Sequence, residues 1–504
     1  MRSSFLRLLR SAFWRANAAP FSSKRRIFVQ NSLRAGAVAT LAPHTLWSTA
    51  AGAAMAPSIA IVGAGLGGLT AAWYLHQKGI RTTVHEAGHR PGGRTLTMRN
   101  VFGPGLAVDL GGEFVDAWHN DLIGLAAAIE VPLSDLRMTG QPRKEIRFYQ
   151  GGHRTESDLE AAIRPFVPAF RRDMERIPEN ISYKNMGECA DLDQVSIAGW
   201  LRQNGVSGWL YDYFWNAFTL EYGMDAEEQS ALNMLTVFHL PEQGQTGIIG
   251  GEGSEVLRIQ GGAQTLSERL VERLPADTVR YHHPLTALRQ SPDGRYQLSF
   301  DGLPEIITAD RVLLAIPFTK LREVRLEVPL SAPKRQAIAE LGYGNSTKLA
   351  LGFKKRRWNA LGYSGDVSSD LPFAQCGWDG SATQAGKAGV WTLFGGGRYS
   401  EALLKGDIGA ATRQCIEGLN QFFPGIKKRY NGSSQLWPWP SYEWSKAAYS
   451  CWKIGQWSAF AGAEGEPEGH VYFAGEHCSV EFQGFMNGAV ESGKKAADAL
   501  AARL

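Results

Sequence analysis

Cysteine is scarce: the chain holds five in 504 residues, an odd number with no CxxC pair. That excludes a disulfide framework and a zinc ribbon, which need paired or regularly spaced thiols. His282-His283 and His477-Cys478 lack a third ligand at metal spacing, so no metal site is expected. Carboxylates are missing before Glu86, whereas eight Lys and Arg fall within the first 34 residues. The net charge of +4 therefore sits in one terminal segment, and the rest of the chain is net acidic. No folded basic patch is implied, and nucleic acid is not an expected partner. After residue 56 no apolar run is long enough to span a membrane. Fixed-period repeats and low-complexity tracts are also absent, and 44% hydrophobic content leaves ample material for a globular core.

The basic terminal segment has its own pattern. Lys24-Arg25-Arg26-Ile27-Phe28-Val29 precedes an uncharged stretch from Ala35 to Ala56, with small residues at Ala51-Gly52-Ala53. Residues 1–56 resemble a twin-arginine export signal, a route for proteins that fold and load a cofactor before leaving the cytoplasm. The expectation is a periplasmic or secreted protein that meets the twin-arginine translocation machinery. A mitochondrial presequence is the alternative, because Met1 to Arg15 is Arg-rich, acid-free and able to form an amphipathic helix.

Downstream, Ser58 to Val62 reads as a buried strand, Leu66 to Lys78 as a helix stopped by Gly79, and Arg81 to His85 as a second strand. Further strands are predicted at Arg311 to Ile316, Lys348 to Phe353 and Val471 to Ala474. Helices are predicted around Leu159 to Ile177, Gln264 to Leu274 and Phe485 to Leu500. The alternation points to α/β or α+β, with the Gly-rich run Gly244 to Gly253 as the best internal boundary.

Within the first βαβ unit, Gly63, Gly65 and Gly68 form GxGxxG between strand and helix. This context suits a pyrophosphate: the turn is tight, the backbone can approach closely, and the helix N-terminus presents N–H groups and a positive dipole end. Glu86 ends the second strand, placed to accept from ribose hydroxyls, and its charge disfavours a 2′-phosphate. FAD or NAD is thus expected over NADP.

Gly88-His89-Arg90-Pro91-Gly92-Gly93-Arg94-Thr95 follows, then Asp109-Leu110-Gly111-Gly112-Glu113-Phe114. Together with Gly261-Gly262, Pro284-Leu285, Ala315-Ile316-Pro317, Lys348, the stretch from Trp439 to Tyr449, Phe473-Ala474-Gly475-Glu476 and the stretch from Gly484 to Gly493, these motifs closely resemble the flavin amine oxidases: monoamine, polyamine and L-amino acid oxidases. The resemblance covers nearly all of the chain after residue 56. It implies an α/β plus α+β fold, with a Rossmann-like FAD-binding domain built from residues 57–118, 247–320 and 436–504. A substrate-binding domain of residues 119–246 and 321–435 interleaves with it. FAD would be held by Gly63, Gly65, Gly68, Glu86, Arg94, Gly112, Glu113, Leu285, Glu476 and the Met486 backbone, although the small residues after Met486 also suit plain helix packing.

The resemblance further implies that Tyr449 and Phe485 flank the flavin face as an aromatic cage, with Phe485 in place of a more usual tyrosine. Taken alone, both could be core aromatics. Lys348 falls on the family lysine that meets flavin N5 through a water and aids reoxidation by oxygen; an edge-strand lysine is the plain alternative. Ala448 stands where some members carry a flavin-linked cysteine, so FAD is expected to be non-covalent. Asp116 falls where some polyamine oxidases place an acid near the substrate tunnel, or is a solvated loop residue. The aromatic cluster Trp209, Tyr211, Tyr213, Phe214 and Trp215 could line that tunnel or be core. The implied reaction oxidises an amine or amino acid to an imine, with molecular oxygen as acceptor.

Overall fold

The computed structural model describes residue 13 and residues 57–142, 144–238 and 254–503. Strand β1 (Ile59–Val62), helix α1 (Leu66–Gln77) and strand β2 (Thr83–His85) form the expected βαβ unit. Strands β3 (Val279–Arg280), β4 (Arg311–Leu314) and β5 (Val471–Phe473) complete a five-stranded parallel sheet in the order β3-β2-β1-β4-β5. β1, β4 and β5 are buried at every residue, as expected for a sheet covered on both faces. Helix α2 (Met486–Ala501) lies along α1. The fit is close: a Cβ on Gly493 would stand 2.3 Å from the Gly67 carbonyl oxygen.

A second, seven-stranded sheet carries the rest of the site. Its strand Ser346–Phe353 pairs antiparallel with Gly389–Gly396 on one side and Tyr430–Pro438 on the other. All eight of its residues are buried, so Lys348 is an interior residue and the edge-strand alternative is corrected. Strand Arg325–Glu327 pairs with Leu285–Gln290 instead of joining the large sheet, and Tyr430–Pro438 straddles residue 436. Sheet membership therefore changes at places other than 321 and 436.

The helix expected from Leu159 to Ile177 is broken into Glu156–Ile163, a 3₁₀ turn at Arg164–Phe166 and Val167–Met174. Pro165 and Pro168 cause the break, since neither has an N–H for a helical hydrogen bond. Tyr213 and Phe214 are fully buried in the largest hydrophobic cluster. The same cluster takes in Phe13, whose ring centroid lies 5.5 Å from that of Phe170 and 5.3 Å from that of Phe238. The remainder of residues 1–56, with the Arg25-Arg26 pair, and the run Gly244 to Gly253 lie outside the described residues. Among the described residues no helix is long and apolar enough to cross a membrane.

Candidate active site

A cavity of about 410 Å³ runs between the two sheets, lined at one end by β1, α1 and β2 and at the other by Lys348, Tyr449 and Phe485. At the first end Gly63 has φ +103°, and a Cβ on Gly68 would fall 2.0 Å from the Gly63 carbonyl oxygen. Gly68 thus shapes the turn without lining the cavity, whereas Gly63 and Gly65 line it. The N-terminus of α1 has no side-chain cap and no acid in its first turn, which leaves its N–H groups and positive dipole end for an anion. Glu86 lines the cavity at β2, its carboxylate accepting from the Ala64 and Gly88 N–H groups at 2.8 Å each. Burial pushes its carboxyl above the ordinary range, against the opposing pull of those N–H groups. His85 and His283 also line this end, with their Nδ1 atoms 2.9 Å apart.

Midway, Arg94 Nη1 donates to Glu476 Oε1 at 2.6 Å and to the Ala448 carbonyl at 2.9 Å. Glu476 Oε2 accepts from the Ser450 hydroxyl at 2.6 Å and the Gly484 N–H at 2.8 Å. Burial alone would raise the Glu476 carboxyl, but the Arg94 guanidinium and the Ser450 hydroxyl outweigh it and hold it below its ordinary value. Leu285 lines the cavity nearby, at the start of its strand.

At the far end Lys348 is fully buried, and its Nζ donates to the carbonyls of Asp109 and Gly111 at 3.0 Å each and to Glu113 Oε2 at 2.7 Å. Glu113 does not line the cavity; it reaches the site through Lys348. Gly112 does line it, and a Cβ there would press to 2.9 Å of Met486 Cγ and Sδ. Asp116 is 1% exposed and stands off the cavity. Its Oδ1 accepts from the Glu255 N–H at 2.7 Å, and Oδ2 lies 3.5 Å from His119 Nε2, so the structure gives it a place in a buried turn and not on a substrate path.

Tyr449 and Phe485 both line the cavity. The Tyr449 hydroxyl donates to the Leu220 carbonyl at 3.1 Å, and burial pushes that phenol well up. Its loop is pinned by the Gly344 N–H to the Tyr449 carbonyl at 2.8 Å and by the Ala448 N–H to the Gly344 carbonyl at 3.0 Å. Phe485 precedes the uncapped N-terminus of α2 and meets His119 edge-on at 5.1 Å. Met486 and Ala489, on the first turn of α2, also line the cavity. The cluster Trp209 to Trp215 contributes no residue to this lining.

Sequence reasoning missed Phe394, which lines this end from the strand position paired with Lys348. It also missed Trp378 and Arg258, which bind Glu113 through Trp378 Nε1 at 3.0 Å and Arg258 Nη2 at 3.1 Å. Only strand register could have pointed to Phe394; Trp378 and Arg258 carry no local motif.

These residues suit a flavin dinucleotide. Gly65 has no atom within 4 Å of a would-be Cβ on the cavity side, so a pyrophosphate can close on its backbone. Glu86 lines the cavity beside that glycine turn, and two uncapped helix N-termini face the same cavity.

Comparison with known proteins agrees with this reading. Human flavin-containing amine oxidase B is 25% identical over 472 residues, covering 87% of this chain and 85% of that one. An L-amino acid dehydrogenase from Synechocystis is 23% identical over 482 residues, covering 89% and 96%. Among solved structures, cyclohexylamine oxidase from Brevibacterium oxydans superposes with a TM-score of 0.78 at 23% identity, covering 89% of this chain and 99% of that one. The family model for flavin-containing amine oxidoreductases matches residues 66–501, and the chain belongs to that family.

Proposed function

We propose that the protein is an FAD-dependent amine oxidase, exported by the twin-arginine route and acting outside the cytoplasm. The observation that carries the reading is one continuous cavity with a dinucleotide cradle at one end and Lys348, Tyr449 and Phe485 at the other. FAD, when bound, supplies the two-electron carrier between amine and oxygen. The substrate carbon–nitrogen bond becomes an imine by loss of two electrons and two protons; oxygen takes these as hydrogen peroxide, and water hydrolyses the imine to an aldehyde or keto acid plus ammonia or an amine. Tyr449, Phe485 and Phe394 form an apolar vestibule that disfavours the ammonium form of a substrate and frees its lone pair. The α2 N-terminus places positive dipole next to the ring-binding end. Ala448 precludes a thioether at its position, so the cofactor is held non-covalently, and acid precipitation should leave the flavin in the supernatant.

An amine is favoured over an L-amino acid. A carboxylate clamp needs a free arginine, and the two arginines on the cavity are engaged: Arg90 with the carbonyls of Pro91, Gly93 and Thr95, Arg94 with Glu476 and Ala448. The L-amino acid dehydrogenase among the relatives supports the second reading, and a screen of amines, diamines and L-amino acids for peroxide release decides. Peroxide from amines alone supports the first reading; none from any class removes both.

A further inference from the structure

Lysine has three N–H donors, and all three of Lys348 are spent inside the protein, on the Asp109 and Gly111 carbonyls and on Glu113. A lysine that relayed a proton through a cavity water would have to give up one of these bonds. Glu113 is bound just as fully: Oε2 accepts from Lys348, and Oε1 from Trp378 Nε1 while facing Arg258 Nη2. Both partners are essentially out of solvent, at 0% and 2% exposure, where an unpaired charge is far costlier than a paired one. Lys348 nevertheless lines the cavity from a strand of the large sheet, while Glu113 follows the Gly111-Gly112 loop.

We infer that Glu113 is a positioning residue: it pins the Lys348 ammonium to the 109–113 loop, so that the lysine serves the flavin end of the cavity as a fixed positive charge and not as a proton relay. This rests on the proposed flavin oxidase reading. A fixed cation beside the ring-binding end favours electron flow toward oxygen, and it needs no reorganisation to do so. The groups facing the pair are few. Asp109 turns its carboxylate away, to the Thr97 hydroxyl at 2.6 Å and the Ala263 N–H at 2.9 Å. Arg258 stands behind Glu113 on strand Leu257–Ile259, and Cys376 lies on strand Cys376–Asp379 beside Trp378, its thiol pushed well up by burial. Without Glu113, Asp109 is the nearest acid left to the lysine on the 109–113 loop, and its carboxylate is committed elsewhere.

The test is reoxidation of photoreduced holoenzyme by oxygen across pH, which needs no knowledge of the amine. In E113Q the buried lysine has lost its counter-charge. Reoxidation should begin to slow at a lower pH in the variant than in wild type, because the ammonium has lost its counter-charge, and the reduction potential of bound FAD should fall across the same interval. Both titrations should vanish in E113Q/K348M, which is slow throughout. E113D keeps the charge at shorter reach and should fall between wild type and E113Q; if E113Q does not accumulate as yellow protein, E113D decides alone. A wild-type pH profile in the variant, or a shifted titration that persists in E113Q/K348M, overturns the inference. A colourless wild-type protein would instead overturn the flavin reading itself, and failure to find an amine substrate would leave the Glu113 result intact.

Discussion

His477 and His85 are each 1% exposed. Burial lowers both imidazoles, His477 to about 3 and His85 to about 4; in His85 the neighbouring His283 and Arg280 add to the effect. Both stay neutral in the fold at pH values where an unfolded chain would protonate them. The unfolded state then binds more protons, so stability rises with pH across this window and is lost as pH falls from about 6.5 toward those values, by at most about 1.4 kcal/mol per pH unit for each group. Thermal melting from pH 7 to pH 4 should show the loss, and H477N should make the curve shallower; an unchanged slope removes His477 from the account. Lys348→Met should slow flavin reoxidation by roughly 100-fold, read by stopped flow; wild-type speed would deny the lysine any part in it. Lys348 was readable because it falls on the family lysine within a series of motifs that match in order. The partner itself was not: Glu113 is 235 positions away and sits in a motif that invited a direct cofactor role.

The α1–α2 contact makes a test at the level of elements. A side chain on Gly493 would strike the Gly67 carbonyl at 2.3 Å, and one on Gly68 would strike the Gly63 carbonyl at 2.0 Å. Gly493→Val should cost about 1–3 kcal/mol by forcing the helices apart, and should lower FAD content along with the melting temperature. Gly68→Ala should be at least as severe, because its Cβ would come still closer, to 2.0 Å, to a carbonyl held in the tight β1–α1 turn; full FAD occupancy in either variant would contradict the packing described. The nucleotide-binding βαβ was plain in the sequence, since fully covered parallel strands are short continuous apolar runs and the glycines punctuate them. The helix expected from Leu159 to Ile177 failed because hydrophobic spacing carries on through Pro165 and Pro168 while hydrogen bonding does not. The strand at Ser346–Phe353 is buried at every residue and sits between strands Gly389–Gly396 and Tyr430–Pro438, a central place that only distant parts of the chain decide.

Across the whole molecule, the export proposal predicts that Arg25→Lys with Arg26→Lys abolishes appearance of the enzyme outside the cytoplasm, measured by fractionation; unchanged export would reject it. Core packing also reaches into the leading segment, where Phe13 joins Phe170 and Phe238. The parallel sheet has a further consequence. Gly475 and Glu476, just after β5, and the first turn of α2 supply one wall of the cavity, and they lie far along the chain from the β1–α1 turn that supplies another. A nascent polypeptide therefore lacks that wall until those residues have been made, and a stop codon after His470 should yield protein that never turns yellow. The cavity is thus assembled from segments made at widely separated times, and any occupant must wait for the later one.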